Sequence, residues 1–186
     1  MIIALSGSQG SGKTTILNGL STLGYNVIER KTSRSVLKEW DMTLEEVYSN
    51  HKLMTKFQNA IFDMKYSDER KIYSSREIWF TDRSFVDILA YPIMVVGSDP
   101  TCSNWLGEYY DKCMVAELNY FKRIYVPRLN LDIEHDGVRS TCNVYSKSVD
   151  DVMRGLHQTI PDAALELETM MLDERINEIV DVVKYW

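Results

Sequence analysis

The chain has 186 residues, 45% of them hydrophobic and 26% charged, with a formal net charge of −6 and a pI near 5.1. That length suits one domain with enough apolar material for a core, and no apolar run approaches the roughly 20 residues that cross a bilayer. Proteins that clamp duplex nucleic acid usually carry a basic excess, because phosphate neutralisation supplies much of the affinity, so the acidic balance lowers the odds of such a partner.

Residues 1–5 are apolar with no basic stretch before them, which reads as a buried first strand over 2–6 and not as a signal peptide. Gly7 closes that run. From Lys13 to Leu23 the residues Ile16, Leu17, Leu20 and Leu23 recur at helical spacing, with Gly24 as a C-cap. A second strand is expected over 25–28, then helical pattern from about Ser33 to Ser74, with cap chemistry at Asp41 and Thr43. Its apolar stripe is core. A third strand spans 77–81 and ends at Asp82-Arg83-Ser84. Phe85 to Val96 is helical, kinked or ended by Pro92. A loop over 97–104, a helix over 105–121 and a fourth strand over 123–126 follow. The polar stretch from Asn130 to Lys147 reads as a mobile loop, and a lid over about 130–155 is expected. Val149 to Thr159 is helical, Ala163–Glu168 a fifth strand and Asp173 to Lys184 a closing helix. With neither repeats nor a linker-like stretch, one α/β domain over 1–186 is expected, its parallel sheet covered by helices on both faces.

The strongest signal is Gly7-Ser8-Gln9-Gly10-Ser11-Gly12-Lys13-Thr14, a full G-x-x-x-x-G-K-[ST] between a buried strand and an amphipathic helix. Glycines let the backbone wrap an anion with its amides pointing inward, and the helix dipole aims at the same place. Residues 7–15, through Thr15, are therefore the expected binding site for a nucleoside triphosphate, ATP. Lys13 reaches the β- and γ-phosphates and Thr14 offers its hydroxyl to Mg²⁺. The guanine-reading N-K-x-D is absent and Asp82 is followed by Arg83 instead of a second acid, which favours a kinase over GTPases and water-activating ATPases.

Asp82 and Arg83 fall at the carboxyl end of a strand, where open parallel sheets bind ligands. Asp82 suits magnesium through water, or the proton of an attacking hydroxyl, and Arg83 suits a phosphate; a plain helix cap at Asp82 is the bland alternative. Glu29, Arg30 and Arg34 follow the second strand at the same edge, where they meet either the acceptor or solvent. Gln58 has the chemistry to read a base edge, although a lone helical Gln is usually exposed. Arg139 is a candidate lid cation, with Arg128, Lys147 and Arg154 weaker ones. His51, His135 and His157 are scattered and suggest no metal cluster. Cys102, Cys113 and Cys142 fit neither a zinc knuckle nor a redox pair and read as reduced thiols of a cytoplasmic protein.

These residues together resemble the small P-loop kinase-like ATPase family that includes the ribosylnicotinamide-kinase-like domains, and more distantly the thymidylate and deoxynucleoside kinases. The likeness rests on Gly7–Thr14, on Glu29 with Arg34, on Thr81-Asp82-Arg83-Ser84 with Asp87 and Tyr91, on Asp136-Gly137-Val138-Arg139 and on Asp173-Glu174-Arg175. It implies a five-stranded parallel sheet in order 2-3-1-4-5, an acceptor pocket between Glu29, Gln58 and Arg83, with Asp87 and Arg128 added to the substrate set, and a lid carrying Arg139. The Pro that thymidylate kinases place near the Glu after their second strand is missing, since Lys31-Thr32-Ser33-Arg34 stands there. Small kinases of this appearance are common in bacteriophage genomes, some phosphorylating hydroxymethylated pyrimidines within DNA. The expected function is ATP-dependent phosphorylation of a nucleoside or nucleoside monophosphate. The alternatives are a kinase acting on a 5-hydroxymethyl pyrimidine in DNA, through a groove of Lys122, Arg123 and Arg128, and a regulatory NTP switch.

Overall fold

The computed structural model describes residues 1–28, 33–128, 142–162 and 164–186. The uniformly apolar start of the chain makes β1, Ile2–Ser6, buried along its whole length. Lys13–Thr22 forms α1, and Gly24 takes a left-handed φ of 91° just beyond it. Then come β2 (Asn26–Val27), α2 (Ser33–Trp40), α3 (Leu44–Tyr48), α4 (His51–Arg70), β3 (Trp79–Asp82) and α5 (Phe85–Val96). A 3-10 turn at Pro100–Cys102 leads into α6 (Ser103–Glu117), followed by β4 (Lys122–Tyr125), α7 (Asn143–Gln158), β5 (Leu165–Glu166) and α8 (Leu172–Val183).

The five strands are all parallel in the order β2-β3-β1-β4-β5. Leu5 pairs with Asp82 and Ser6 with Tyr125, so the carboxyl ends of the three central strands finish at one edge. On one face Ile3 and Leu5 pack with Ile16, Leu17 and Leu20 of α1 and Ile179 and Val183 of α8. On the other, Ile2 and Ala4 meet Phe62 of α4, Phe85 and Leu89 of α5 and Tyr109 and Cys113 of α6. A satellite cluster of Val36, Leu37, Val47, Met54 and Phe57 ties α2 and α3 to α4.

Four expectations are corrected. Thr43 forms a capping box with Glu46, whereas Asp41 turns the chain with φ 51° instead of capping. Pro92 does not end its helix: α5 runs on to Val96, because seven of its first eight side chains and Val96 beyond them are buried and packing outweighs the lost N–H. The 97–104 stretch carries the 3-10 turn and the start of α6. Residues 143–147, expected in a loop, begin α7, whose inward face carries polar Ser146, Asp150 and His157 among Val149 and Met153 and so weakens the apolar period. Residues 130–141 of the expected mobile stretch lie outside the described residues.

Candidate active site

The loop between β1 and α1 curls because Gly7, Gly10 and Gly12 adopt φ values of 128°, 80° and 86°. Gly7 admits no side chain: a Cβ there would stand 2.5 Å from the Val126 carbonyl oxygen. The Lys13 ammonium is buried in the curl, donating to Gly7 O and Ser8 O at 2.7 Å and to Ser11 Oγ at 2.8 Å. Ser8 Oγ is buried with no hydrogen-bond partner among the described residues. A cation and an uncommitted hydroxyl inside a left-handed turn suit a polyphosphate. Thr14 and Thr15 are exposed in the first turn of α1, and their hydroxyls are the oxygen type a hard cation takes.

The turn hangs from the rest of the molecule by Asp87. This carboxylate is fully buried in the first turn of α5. It accepts from Gly7 N at 3.3 Å, from Ser84 N at 3.0 Å and from Ser6 Oγ, while His157 Nε2 lies 3.4 Å away. Burial alone raises its pKa, but the hydrogen bond and charge of His157, with Arg83 and Ser6, outweigh burial and hold it below the ordinary value. Asp87 was expected at the acceptor, but its oxygens are committed beneath the phosphate loop. Ser84 Oγ caps α5 by accepting from Asp87 N, so the cap is Ser84 and not Asp82.

Asp82 and Arg83 are half-buried beside the loop. Arg83 has φ 70°, and its Nη1 lies 3.4 Å from Gly7 O with the guanidinium 5.2 Å from the Tyr91 ring centre. Burial works against the Arg83 charge, and Tyr91, Asp82 and Asp87 more than offset it, so its pKa stands above the usual value. Lys65 steadies the end of β3, donating to the Asp82 carbonyl at 3.3 Å, Thr81 Oγ1 at 3.1 Å and Glu69 Oε1 at 2.5 Å.

Gln58 is buried, against the usual fate of a helical glutamine, and its amide stands beside the Tyr48 phenol. Burial first, then the phenols of Tyr145 and Tyr91, push the Tyr48 hydroxyl well above its ordinary pKa; burial and Tyr91 raise Tyr145 to about 12. Three tyrosines and an amide from α3, α4, α5 and α7 thus converge. Tyr48 and Tyr145 went unnoticed in the sequence because single tyrosines on amphipathic helices look like core.

Other candidates are placed elsewhere. Arg34 is exposed on the first turn of α2. Arg128 donates to Asn143 Oδ1 at 2.7 Å, which ties it to the start of α7. Arg154 is taken by Asp150 and Glu166, at 3.1 and 2.7 Å, and Lys147 is exposed on α7. Glu29, Arg30 and Arg139 lie outside the described residues. Arg123, one third of the expected DNA groove, is buried and paired to Glu117 at 2.7 Å. His51, Asp99 and Cys102 do approach within 4.8 Å, but His51 Nδ1 and Asp99 Oδ2 are 2.6 Å apart, closer than the roughly 3.3 Å between ligands of one tetrahedral ion with bonds near 2.0–2.1 Å. His51 and Asp99 form a close polar contact. Among the described residues no helix is long and apolar enough to cross a membrane.

Residues 2–178 match a family described as an AAA domain. The chain belongs to that family. Among curated protein sequences none matches it at a significant level. Among solved structures, this AAA-domain chain superposes on deoxyadenosine kinase from M. mycoides with bound dATP at a TM-score of 0.72 and 17% identity, covering 99% of this chain and 100% of that one. NadR in complex with NR gives 0.75 and 16%, the whole chain matching 51% of NadR. Thymidylate kinase from Ehrlichia chaffeensis gives 0.62 and 15%, with coverage of 99% and 98%. At these identities the likeness is one of fold, and it is the fold of nucleoside and nucleotide kinases.

Proposed function

We propose that the protein transfers the γ-phosphoryl group of ATP to a nucleoside or nucleoside monophosphate. The observation that carries this is the juxtaposition of two strand ends: a lysine-filled phosphate turn after β1, and Asp82-Arg83 after β3 with Arg83 reaching 3.4 Å from Gly7 O. In this reading the loop amides and Lys13 hold the β- and γ-phosphates. Thr14 and Asp82 are the residues that would hold magnesium, which would supply charge neutralisation on the phosphate oxygens. In the alternative role Asp82 takes the proton from the attacking hydroxyl, and Arg83, with Arg139 as a further cation, balances the charge that spreads over the transferring group. Binding beside Gln58, Tyr48, Tyr91 and Tyr145 orients the acceptor hydroxyl for in-line attack, with Glu29 and Arg34 as further acceptor-binding candidates.

The half-buried tyrosines around the buried Gln58 amide support a flat, polar acceptor, and the kinases of like fold support a nucleoside or nucleotide. The test is transfer of label from γ-labelled ATP to nucleosides, nucleoside monophosphates, nicotinamide riboside and DNA containing 5-hydroxymethyl pyrimidine. Label on a free nucleoside or nucleotide is the expected result. Label on DNA alone replaces the acceptor, and slow ADP release independent of every acceptor replaces the reading with a regulatory switch.

A further inference from the structure

Arg175, in the first turn of α8, is fully exposed to no solvent at all: its relative exposure is 0%. A buried guanidinium normally sits against a carboxylate, yet Arg175 pairs with none among the described residues. Its Nη1 donates to Ser11 O of the phosphate loop at 2.8 Å, its Nε to Thr169 O at 2.8 Å, and its Nη2 lies 3.7 Å from Met170 Sδ. Burial pushes its pKa down, so placing a cation here opposes stability and the geometry is what it supplies.

The same helix grips the same connection a second time. Glu178 accepts from Glu168 N at 2.8 Å, Thr169 N at 3.2 Å and Thr169 Oγ1 at 2.8 Å. Arg175 therefore fixes the carbonyl of Thr169 while Glu178 fixes its amide and hydroxyl. The seat of α8 is close as well, because a Cβ on Gly19 of α1 would run into Ile176 Cδ1. From Ser11 the chain of contacts continues to Lys13, whose Nζ donates to Ser11 Oγ. Beyond Thr169 the chain exposes Met170 and Met171, by 50% and 67%, just past the carboxyl end of β5, where ligands of such sheets bind.

We propose that Arg175 is a positioning residue for the phosphate donor: it holds the 168–171 connection in fixed register with the phosphate loop, so that the part of the donor beyond its phosphates meets a preformed edge. The inference rests on the ATP reading above. Its test is therefore one of binding and not of transfer: titration of ADP and of inorganic tripolyphosphate, both with magnesium, into the wild type and Arg175→Met. ADP affinity is expected to fall at least tenfold in the variant, with tripolyphosphate within twofold of wild type. Equal weakening of both, or of neither, overturns the proposal. If Arg175→Met does not fold, Glu178→Gln releases part of the same connection and is expected to give the same one-sided loss, equal losses again being contrary. A wild type that binds tripolyphosphate and prefers no nucleotide over it contradicts the inference alone, whereas one that binds neither removes the ATP reading itself.

Discussion

Asp87 Oδ2 accepts the backbone amide of Gly7 at 3.3 Å, across 80 residues of sequence. The first turn of α5 thus holds the first glycine of the phosphate loop, and the same carboxylate answers Ser6 and Ser84. The adjoining Arg83 is carried to the loop by the same turn.

Because the native environment lowers the pKa of Asp87, its contribution to stability is fully present above the ordinary carboxylate range and is lost as pH falls through the lowered value. Asp87→Asn leaves a buried amide N–H₂ facing backbone donors. It is expected to cost about 3 kcal/mol at pH 7, with the gap from wild type narrowing toward pH 3, as measured by urea unfolding at both pH values.

Gly7→Ala places a Cβ against the Val126 carbonyl at a φ of 128°. A loss of about 2 kcal/mol is expected from the strain alone, together with weaker binding of ATP. Unfolding by urea and an ATP titration read the two effects, and unchanged ATP affinity would show that the turn tolerates distortion that the phosphate reading forbids.

Most of the fold was legible in the chain. Strands and helices follow from short apolar runs and long apolar stripes, and the phosphate loop from Gly7–Thr14, because these are local patterns. The site was legible only where its chemistry is local. Asp87 was misplaced, although Ser84-x-x-Asp87 carries the spacing of a capping box and so pointed to a helix N-terminus. His157 lies 151 residues from Ser6, and Arg175 lies 164 from Ser11; nothing periodic announces such contacts. For Gln58 the sequence leaves a base reader and an exposed helical residue both open, and its burial comes from tertiary packing that no local pattern shows.

Gln58→Leu and Tyr48→Phe remove the polar atoms of the buried amide and of the phenol beside it. If this cluster receives the acceptor, Gln58→Leu raises the acceptor KM about 10- to 100-fold, with the KM for ATP within twofold. Steady-state kinetics with the acceptor found by the transfer screen decide it; a rise in the ATP KM instead moves the cluster to the donor side.

Glu117→Gln leaves Arg123 buried beside an uncharged amide. A loss of about 3 kcal/mol or more is expected, measured by denaturant unfolding, with no change in DNA retention at low salt. A salt-dependent loss of DNA binding on this substitution would return Arg123 to a nucleic-acid groove.

The central claim is that phosphate leaves ATP only to an acceptor held beside Asp82 and Arg83. A single-turnover experiment with γ-labelled ATP, enzyme in excess and acceptor present or absent tests it most directly. The account predicts ADP formation about 100-fold faster with acceptor, stoichiometric with labelled acceptor and reduced by orders of magnitude in Lys13→Ala. Release of free phosphate at one slow rate, whether or not acceptor is present, would contradict it.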